Sequence, residues 1–188
     1  MICNIILDLD ETLIHSTLRR IKDPDFKIIF PATQSHRATT YYVKKRPGLD
    51  KFLRYIFKNF KTVSVWTAAT RDYAEQVIAN IFTKKQRAQL KYFHSREHTQ
   101  EGIKPLKLIF NDNNAKNLKI QPNNTIIIDD KKEVVYHNPG NGIIIPAWLG
   151  KKPDNYLSKL IIVLSGIIKY RCITDSSEVY LELVDISG

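Results

Sequence analysis

The sequence predicts an α/β fold with a central parallel sheet flanked by helices. Segments typical of strands alternate along the chain with segments that have the 3.6-residue period of amphipathic helices. The strand segments are apolar at almost every residue, which is typical of parallel strands buried on both faces. Three of them end in polar residues, and ligands bind at the carboxyl ends of strands in open parallel sheets. The pattern therefore favours a fold whose functional residues follow its strands.

The first strand is predicted at residues 2–7, an apolar run that stops at Asp8. Two β-rich segments follow, at residues 26–30 and 39–43, and Pro31 and a polar stretch separate them. A pair of short strands joined in this way predicts a hairpin or flap.

Residues 48–60 have the clearest helical pattern of the chain. The apolar face of this predicted helix consists of Leu49, Phe52, Leu53, Ile56, Phe57 and Phe60. A basic stripe lies off that face: Lys51, Arg54, Lys58 and Lys61. A strand at residues 63–66 follows and ends at Thr67. A second helix comes next, with an inward face formed by Tyr73, Val77, Ile78 and Ile81.

The last third of the chain predicts two more buried strands, at residues 125–128 and 142–145. A helix follows at residues 154–168. The Asn-rich segment at residues 111–124 predicts a loop, and residues 179–184 predict a terminal strand to which we assign no function.

The composition is that of a folded globular protein and predicts a single domain over residues 1–188. Hydrophobic residues make up 43% of the chain and charged residues 26%, which excludes an intrinsically disordered chain. There are 29 lysines and arginines against 19 acidic residues, which gives a net charge of +10. This excess favours an anionic partner or substrate.

The two cysteines, Cys3 and Cys172, are too few for a disulfide framework, and they favour a reducing compartment. The first seven residues lack the basic segment and the cleavage site of a signal peptide. The longest apolar run, residues 160–168, is about half the length of a membrane span. We therefore expect a soluble intracellular protein of the nucleus or cytoplasm, without a membrane partner.

Four carboxylates and a threonine are predicted to meet at one edge of the sheet. Asp8 and Asp10 follow the first strand, Thr67 follows a later one, and Asp129 and Asp130 follow the strand at the end of the Asn-rich segment. Four converging carboxylates would repel one another. A hard divalent cation with oxygen ligands offsets such repulsion, and Mg²⁺ fits because it binds one or two carboxylates together with substrate phosphate and water.

The segment DLDETLIHS, which begins at Asp8, resembles motif I (DxDxT) of the haloacid dehalogenase superfamily. More narrowly, it resembles the small carboxy-terminal-domain (CTD) phosphatase and FCP1-like group, which acts on RNA polymerase II. Further segments resemble this family in the same order: YVKKRPG at 42–48, WTAA at 66–69, GIKPL at 102–106 and IIIDD at 126–130. The resemblance covers about residues 1–170 and implies a Rossmann-like fold of the haloacid dehalogenase type.

The resemblance also implies a role for each residue at the sheet edge. Asp8 would be the nucleophile that forms an aspartyl-phosphate. Asp10 would protonate the leaving oxygen and then deprotonate the attacking water. Mg²⁺ would be held by Asp8, by the backbone carbonyl of Asp10 and by Asp130, and would stabilise charge on the transferring phosphoryl group.

The remaining residues of the resemblance would hold the phosphate and the substrate. Thr67 would donate to a phosphate oxygen, and Lys104 would pair with both the phosphate and the nucleophile. Asp129 would orient Lys104 rather than bind the metal directly. Arg96, in the segment SREH, resembles a substrate-binding arginine in the family's small β insert between motifs II and III, which is predicted at about residues 90–102.

The sequence departs from the family where the substrate's proline would be gripped. The matching region offers Leu18, Ile29, Phe30 and Tyr41, and Thr70 occupies a place that is expected to be apolar. The predicted insert is also shorter than in the family. Specificity for the polymerase tail is therefore a weaker expectation than phosphatase activity.

The sequence predicts a Mg²⁺-dependent protein serine/threonine phosphatase that acts on a phosphorylated protein or peptide, with the RNA polymerase II tail suggested by the resemblance. Nucleic acid is not expected as a specific partner, because no recognised binding pattern is present. Two alternatives stay open: a phosphatase for nucleic-acid 3′-ends or small phosphometabolites, and a non-catalytic peptide-binding scaffold of the same fold. Retention of Asp8 and Asp10 argues against the scaffold.

Overall fold

The computed structural model describes residues 4–35, 37–151, 153–169 and 181–182. Its strands are β1 (Asn4–Leu7), β2 (Ile14–Thr17), β3 (Phe26–Phe30), β4 (Thr39–Lys45), β5 (Thr62–Trp66), β6 (Leu90–His94), β7 (Thr125–Asp129), β8 (Gly142–Ile144) and β9 (Leu181–Glu182). Its α-helices are α1 (Leu49–Asn59), α2 (Arg71–Ile81), α3 (Lys84–Gln89), α4 (Lys107–Asn111), α5 (Asn113–Asn117), α6 (Lys132–Tyr136) and α7 (Tyr156–Lys169). Short 3₁₀ turns lie at Arg96–His98 and Pro122–Asn124.

The central sheet is parallel throughout, in the order β6-β5-β1-β7-β8-β9, and helices flank it. Strands β1, β5 and β7 are buried at every residue, which agrees with their nearly continuous apolar sequence. The predicted fold class is therefore confirmed.

Polar side chains at the amino ends of the three central strands bond to one another. The Thr62 hydroxyl donates to Asn4 Oδ1 at 2.8 Å, and Asn4 Nδ2 donates to the Thr125 hydroxyl at 3.3 Å. The register pairs Asn4 with both threonines, so each buried polar group has a partner. The opposite, carboxyl edge of the sheet carries the charged residues.

Helix α1 forms where the sequence predicts it. Gly48 precedes it with a φ of 83°, a left-handed conformation that glycine adopts without strain. The buried face consists of Leu49, Phe52, Leu53 and Ile56. The basic stripe Lys51, Arg54, Lys58 and Lys61 is exposed.

A separate antiparallel sheet, here called the flap, is formed by the part of the chain that follows β1 and precedes α1. Its strand order is β2-β4-β3. The hairpin of β3 and β4 was predicted, whereas β2 was not. Ile28 and Val43 are buried on the inner face of the flap. Tyr41, on the same face, makes an edge-to-face contact with Tyr73 of α2 at a centroid distance of 5.2 Å. The flap therefore packs over the start of α2.

Residues 90–102 were predicted to form a small β insert, but their strand belongs to the central sheet. Strand β6 pairs in parallel with β5 and forms an edge of the central sheet. The remainder is a 3₁₀ turn and a single antiparallel bridge between Gln100 and Ile103. The insert was predicted from the family resemblance, and the partial burial of β6 leaves no continuous apolar run that would mark it as a strand of the central sheet.

Two further predictions have different outcomes. The Asn-rich segment at 111–124 contains α5 and a 3₁₀ turn, so the prediction of a loop was wrong there; Asp112 caps α5 by accepting from the amide of Ala115 at 3.0 Å. Strand β9 lies within the strand predicted at 179–184, and the rest of that strand, like Cys3 and Cys172, lies outside the described residues.

Among the described helices, none is long and apolar enough to cross a membrane.

A buried ion pair ties the loop after β1 to the segment before α7. Arg46 is 1% exposed. Its Nε and Nη2 atoms donate to the two carboxylate oxygens of Asp154 at 2.9 and 2.8 Å. The same guanidinium donates to the backbone carbonyls of Glu11, Thr12 and Pro146. One side chain thus connects three segments that lie far apart in the sequence.

We predict that Asp154→Ala lowers the free energy of unfolding by about 3–5 kcal/mol, because it leaves the buried Arg46 charge without its partner. Denaturant unfolding measures the loss. The control is Glu75→Ala, which breaks the exposed pair between Glu75 and Arg71 and should cost less than about 1 kcal/mol. Equal losses in the two variants would contradict the role given to the buried pair.

Candidate active site

A cleft of about 420 Å³ opens at the carboxyl edge of the central sheet, between the sheet and the flap. Its polar lining consists of Asp8, Asp10, Glu11, Ser16, Thr67, Thr70, Arg96 and Lys131. Its aromatic wall consists of Phe30, Tyr41 and Tyr73. The structure thus brings residues from the ends of β1 and β5, the flap and α2 to one place.

Lys104 lies between two buried carboxylates. Its Nζ donates to Asp8 Oδ1, and to Asp129 Oδ2 at 2.6 Å. Burial alone would lower the pKa of Lys104, but Asp8 and Asp129 together raise it above its usual value, so the side chain is a cation. The structure therefore places Lys104 beside both acids, as the resemblance implied.

Buried hydrogen bonds from Asn138 hold the Lys104 segment in place. The Nδ2 of Asn138 donates to the carbonyl of Lys104 at 2.9 Å, and its Oδ1 accepts from the amide of Leu106 at 2.8 Å. Asn138 is 5% exposed and follows α6. Asn138 thus holds the backbone on both sides of Pro105. This limits the movement of the Lys104 ammonium away from Asp8 and Asp129.

Asp8, Asp129 and Asp130 form an acidic group in which one carboxylate oxygen from each lies within 4.8 Å of the others. Burial and the neighbouring Asp8 raise the pKa of Asp130. Asp129 already accepts from Lys104 through Oδ2 and from the amide of Lys131 through Oδ1. Asp8 and Asp130 therefore have the greater capacity for a cation, and the donor set of clustered carboxylate oxygens fits a hard divalent ion.

Glu11 adds a further negative charge beside this group. It has a φ of 58°, so the chain makes a left-handed turn directly after Asp10. Burial, and then the charges of Asp130 and Asp8, raise the pKa of Glu11 to about 7. The excess of negative charge is what a bound cation would offset.

Asp10 has an environment different from that of Asp8. Its Oδ1 accepts from the Tyr73 hydroxyl at 2.5 Å and from the Ser16 hydroxyl at 3.4 Å. Burial raises the pKa of Asp10 to about 7, with a smaller contribution from the charge of Asp8. Asp10 is thus able to carry a proton near neutral pH while Asp8 faces a cation.

Thr67 and Arg96 lie together in the cleft. The amide of Thr67 donates to the carbonyl of His94 at 3.0 Å, and its hydroxyl accepts from the amide of Ala69 at 3.0 Å. The amide of Arg96 donates to Ala69 O, and its Nε donates to Ala68 O, both at 2.9 Å. The turn after β5 and the turn after β6 therefore hold each other, and both side chains line the cleft.

Sequence reasoning missed part of the cleft. Tyr73 was expected only as a core residue because of its helical position, and Ser16 and Lys131 were not singled out. Ser16 lies within the motif I signature, which was a usable signal; Tyr73 and Lys131 had none. Of the residues expected around the substrate's proline, Phe30, Tyr41 and Thr70 line the cleft. Leu18 and Ile29 are 62% and 59% exposed and do not.

The parallel sheet and the acidic group at its carboxyl edge form the arrangement that the sequence resemblance implied. Residues 3–175 match the family of NLI interacting factor-like phosphatases. The chain belongs to this family.

Named relatives agree with this assignment. A probable C-terminal domain small phosphatase of Dictyostelium discoideum is 34% identical over 167 residues, which cover 88% of this chain and 50% of that protein. A putative CTD phosphatase-like protein of Invertebrate iridescent virus 3 is 32% identical over 169 residues, 80% of this chain and 87% of that protein. The chain thus spans about half the length of the Dictyostelium relative.

Solved structures show the same fold. The structure of Fcp1, an essential RNA polymerase II CTD phosphatase, matches with a TM-score of 0.69 at 20% identity. The match covers 89% of this chain and 62% of that one. At this level of identity the likeness supports the fold alone.

We predict that a divalent cation raises the melting temperature of the protein, because it binds the folded acidic group and not the unfolded chain. At a free concentration of 100 times its dissociation constant, the ion would stabilise the fold by about 2.7 kcal/mol. Asp130→Asn should reduce the shift in a thermal melt with Mg²⁺ or Mn²⁺. Asp72→Asn, at an exposed position on α2, is the matched control; an equal loss of the shift in both variants would contradict the site.

Proposed function

We propose that the protein is a Mg²⁺-dependent phosphatase that removes phosphate from phosphoserine or phosphothreonine in a protein or peptide. The observation that carries the proposal is the pairing of two different acids in one cleft. Asp8 faces the Lys104 cation, whereas Asp10, two residues later, is held by neutral hydroxyl groups. Membership of a phosphatase family supports the assignment of these two acids to phosphoryl transfer.

The proposed first step transfers the phosphoryl group to Asp8. A carboxylate oxygen of Asp8 attacks phosphorus, the bond from phosphorus to the serine oxygen breaks, and Asp10 gives its proton to that oxygen. The products are the free hydroxyl and an aspartyl-phosphate on Asp8. In the second step the water oxygen attacks phosphorus, Asp10 takes a proton from that water, and the bond from phosphorus to the Asp8 carboxylate oxygen breaks. This step releases phosphate and restores both acids.

The phosphate would be held by the side chains that converge on the same point. Thr67 would donate its hydroxyl to one phosphate oxygen, and the Lys104 ammonium would pair with another. Arg96 extends the site toward the rim of the cleft, where a substrate chain would pass. Asp129 would keep Lys104 in place through their 2.6 Å hydrogen bond.

Mg²⁺ would be held by Asp8, by the backbone carbonyl of Asp10 and by Asp130. When bound, it would supply positive charge that stabilises the phosphoryl group and lessens its repulsion from Asp8. The acidic group fits this ion through the chemistry of its oxygen donors.

A phosphorylated protein segment is the substrate class that the cleft suits best. The aromatic wall of Phe30, Tyr41 and Tyr73 offers apolar surface beside the acids for side chains flanking the phosphorylated residue. The net charge of +10 favours an anionic chain. The name of a mouse relative, carboxy-terminal domain RNA polymerase II polypeptide A small phosphatase 2, points to the RNA polymerase II C-terminal tail as a substrate to test.

We predict that the protein hydrolyses p-nitrophenyl phosphate with Mg²⁺ and loses this activity in EDTA. Asp8→Asn should retain no more than a few per cent of the rate, because an amide is a poor nucleophile. Unchanged circular dichroism and melting temperature would show that the variant is folded. Activity that survives both changes would contradict the assignment of Asp8.

The same assay separates the open alternatives. Rates on a phosphoserine peptide from the polymerase tail, compared with a 3′-phosphorylated oligonucleotide and small phosphate esters, identify the substrate class. A folded, Mg²⁺-loaded protein without activity on any of them would favour the peptide-binding scaffold.

We predict that kcat/KM for phenyl phosphate falls as the pH rises through about 7. Burial raises the pKa of Asp10 to about 7, so the acid is protonated below this pH and loses its proton above it. A pH profile with saturating Mg²⁺ measures the effect. Asp10→Asn should be slow at every pH and lack this basic limb, and a wild-type rate that stays constant into the alkaline range would contradict the role of Asp10.

A further inference from the structure

Two hydroxyl groups from different parts of the chain meet at one oxygen of Asp10. The Tyr73 hydroxyl, on α2, donates to Asp10 Oδ1 at 2.5 Å. The Ser16 hydroxyl, on β2, lies 3.4 Å from the same oxygen and 2.7 Å from the Tyr73 oxygen. No hydrogen bond joins Asp10 Oδ2 to any of the residues that the structure describes.

We propose that Tyr73 is a positioning residue that occupies Oδ1 of Asp10 and so keeps the transferable proton on Oδ2. The proposal rests on the phosphatase function proposed above. It assigns a function to a tyrosine that helical periodicity alone would place only in the core.

The two oxygens of the Asp10 carboxyl differ in the hydrogen bonds that they can make. A protonated carboxyl has one O–H donor and one carbonyl acceptor, and a phenol has a single proton to donate. The Tyr73 hydroxyl lies within reach of both Asp10 Oδ1 and Ser16 Oγ, and we assign its proton to Asp10, at the shorter distance of 2.5 Å. If Oδ1 accepts from Tyr73, the carboxyl proton resides on Oδ2. In the first step the proton leaves Oδ2 for the serine oxygen as the phosphorus–oxygen bond breaks, and the Tyr73 hydrogen bond then stabilises the negative charge left on Asp10.

Tyr73 is well placed for this task because its own position is fixed. It is 7% exposed on α2, and its ring contacts Tyr41 edge-to-face at 5.2 Å. Tyr41 in turn contacts Phe30 at a centroid distance of 6.2 Å. Helix α2 and the flap together therefore set where the Tyr73 hydroxyl lies, and through it the orientation of the Asp10 carboxyl.

A role in packing or in substrate binding predicts a different result from a role in positioning the acid. Loss of packing or of substrate contacts would lower activity on all leaving groups alike. Poor orientation of the general acid would instead lower activity most where the leaving oxygen needs a proton. The two phosphate esters used should therefore have similar shape and different leaving groups.

The experiment compares kcat/KM of wild type and Tyr73→Phe on phenyl phosphate, a poor leaving group, and on p-nitrophenyl phosphate, a good one. We expect a loss of about 10- to 100-fold on phenyl phosphate and of less than about threefold on p-nitrophenyl phosphate. Ser16→Ala should also lose more activity on phenyl phosphate than on p-nitrophenyl phosphate, but by a smaller factor than Tyr73→Phe. The ratio kcat/KM is used because it reports the step in which the leaving group departs.

Tyr42→Phe is the matched control, because it also removes one phenol hydroxyl. Tyr42 is not part of the cleft lining, and Lys27 lies over its ring at 5.5 Å. This variant should hydrolyse both esters at the wild-type rate. Thermal melting of each variant establishes that it is folded before its rates are compared.

The outcomes keep the two proposals apart. Wild-type protein without Mg²⁺-dependent activity on either ester would overturn the phosphatase function itself. Active wild type with a Tyr73→Phe variant that loses equally on both esters, or on neither, would overturn only the positioning role. If Tyr73→Phe does not fold, the leaving-group dependence of Ser16→Ala decides: a selective loss on phenyl phosphate supports the hydroxyl pair, and an equal loss or none overturns it.

Discussion

The site depends on one electrostatic constraint, the placing of the Lys104 cation between two buried carboxylates. Strands β1 and β7 are paired so that Leu7 lies beside Ile128, and the next residue of each strand is an aspartate, Asp8 and Asp129. The parallel register therefore forces two acids together at the end of the sheet. Without Lys104 they would be uncompensated buried charges, which are strongly destabilising. With it, both carboxylates are held in place, and Asp8 and the neighbouring Asp130 keep the capacity to bind a divalent cation.

The loops that carry the chemistry are held by buried polar side chains rather than by regular secondary structure. Arg46 bonds to the carbonyls of Glu11 and Thr12 in the turn after β1 and is itself fixed by Asp154. Asn138 plays the same part for the Lys104 segment. Such hydrogen-bonded groups define a single backbone conformation, because any displacement leaves a buried donor or acceptor without a partner. The proposed phosphate ester would therefore bind with little rearrangement of these loops.

Two aspartates two residues apart acquire different properties from their surroundings. Asp8 lies against the ammonium group of Lys104. Burial raises the pKa of Asp10 to about 7, although the hydrogen bonds from the Tyr73 and Ser16 hydroxyls act in the opposite direction. Separation of two acids by environment is how one cleft can supply both a nucleophile and a proton donor. The contacts of Phe30, Tyr41 and Tyr73 connect this separation to the flap, the part of the fold nearest to an incoming substrate chain.

The amino-acid sequence alone predicts the central strands, α1 and the residues at the strand ends, because continuous apolar runs and helical periodicity are local signals. It did not determine the edge strand β6, whose partial burial leaves no continuous apolar run, or the strand β2, whose partners are distant. It also placed Tyr73 only in the core. The Tyr73 hydroxyl meets Asp10 across 63 residues, and Lys104 meets Asp8 across 96. Contacts at such separations depend on how the helices and strands pack. The carboxylate oxygen that faces each partner is therefore known only from the folded structure.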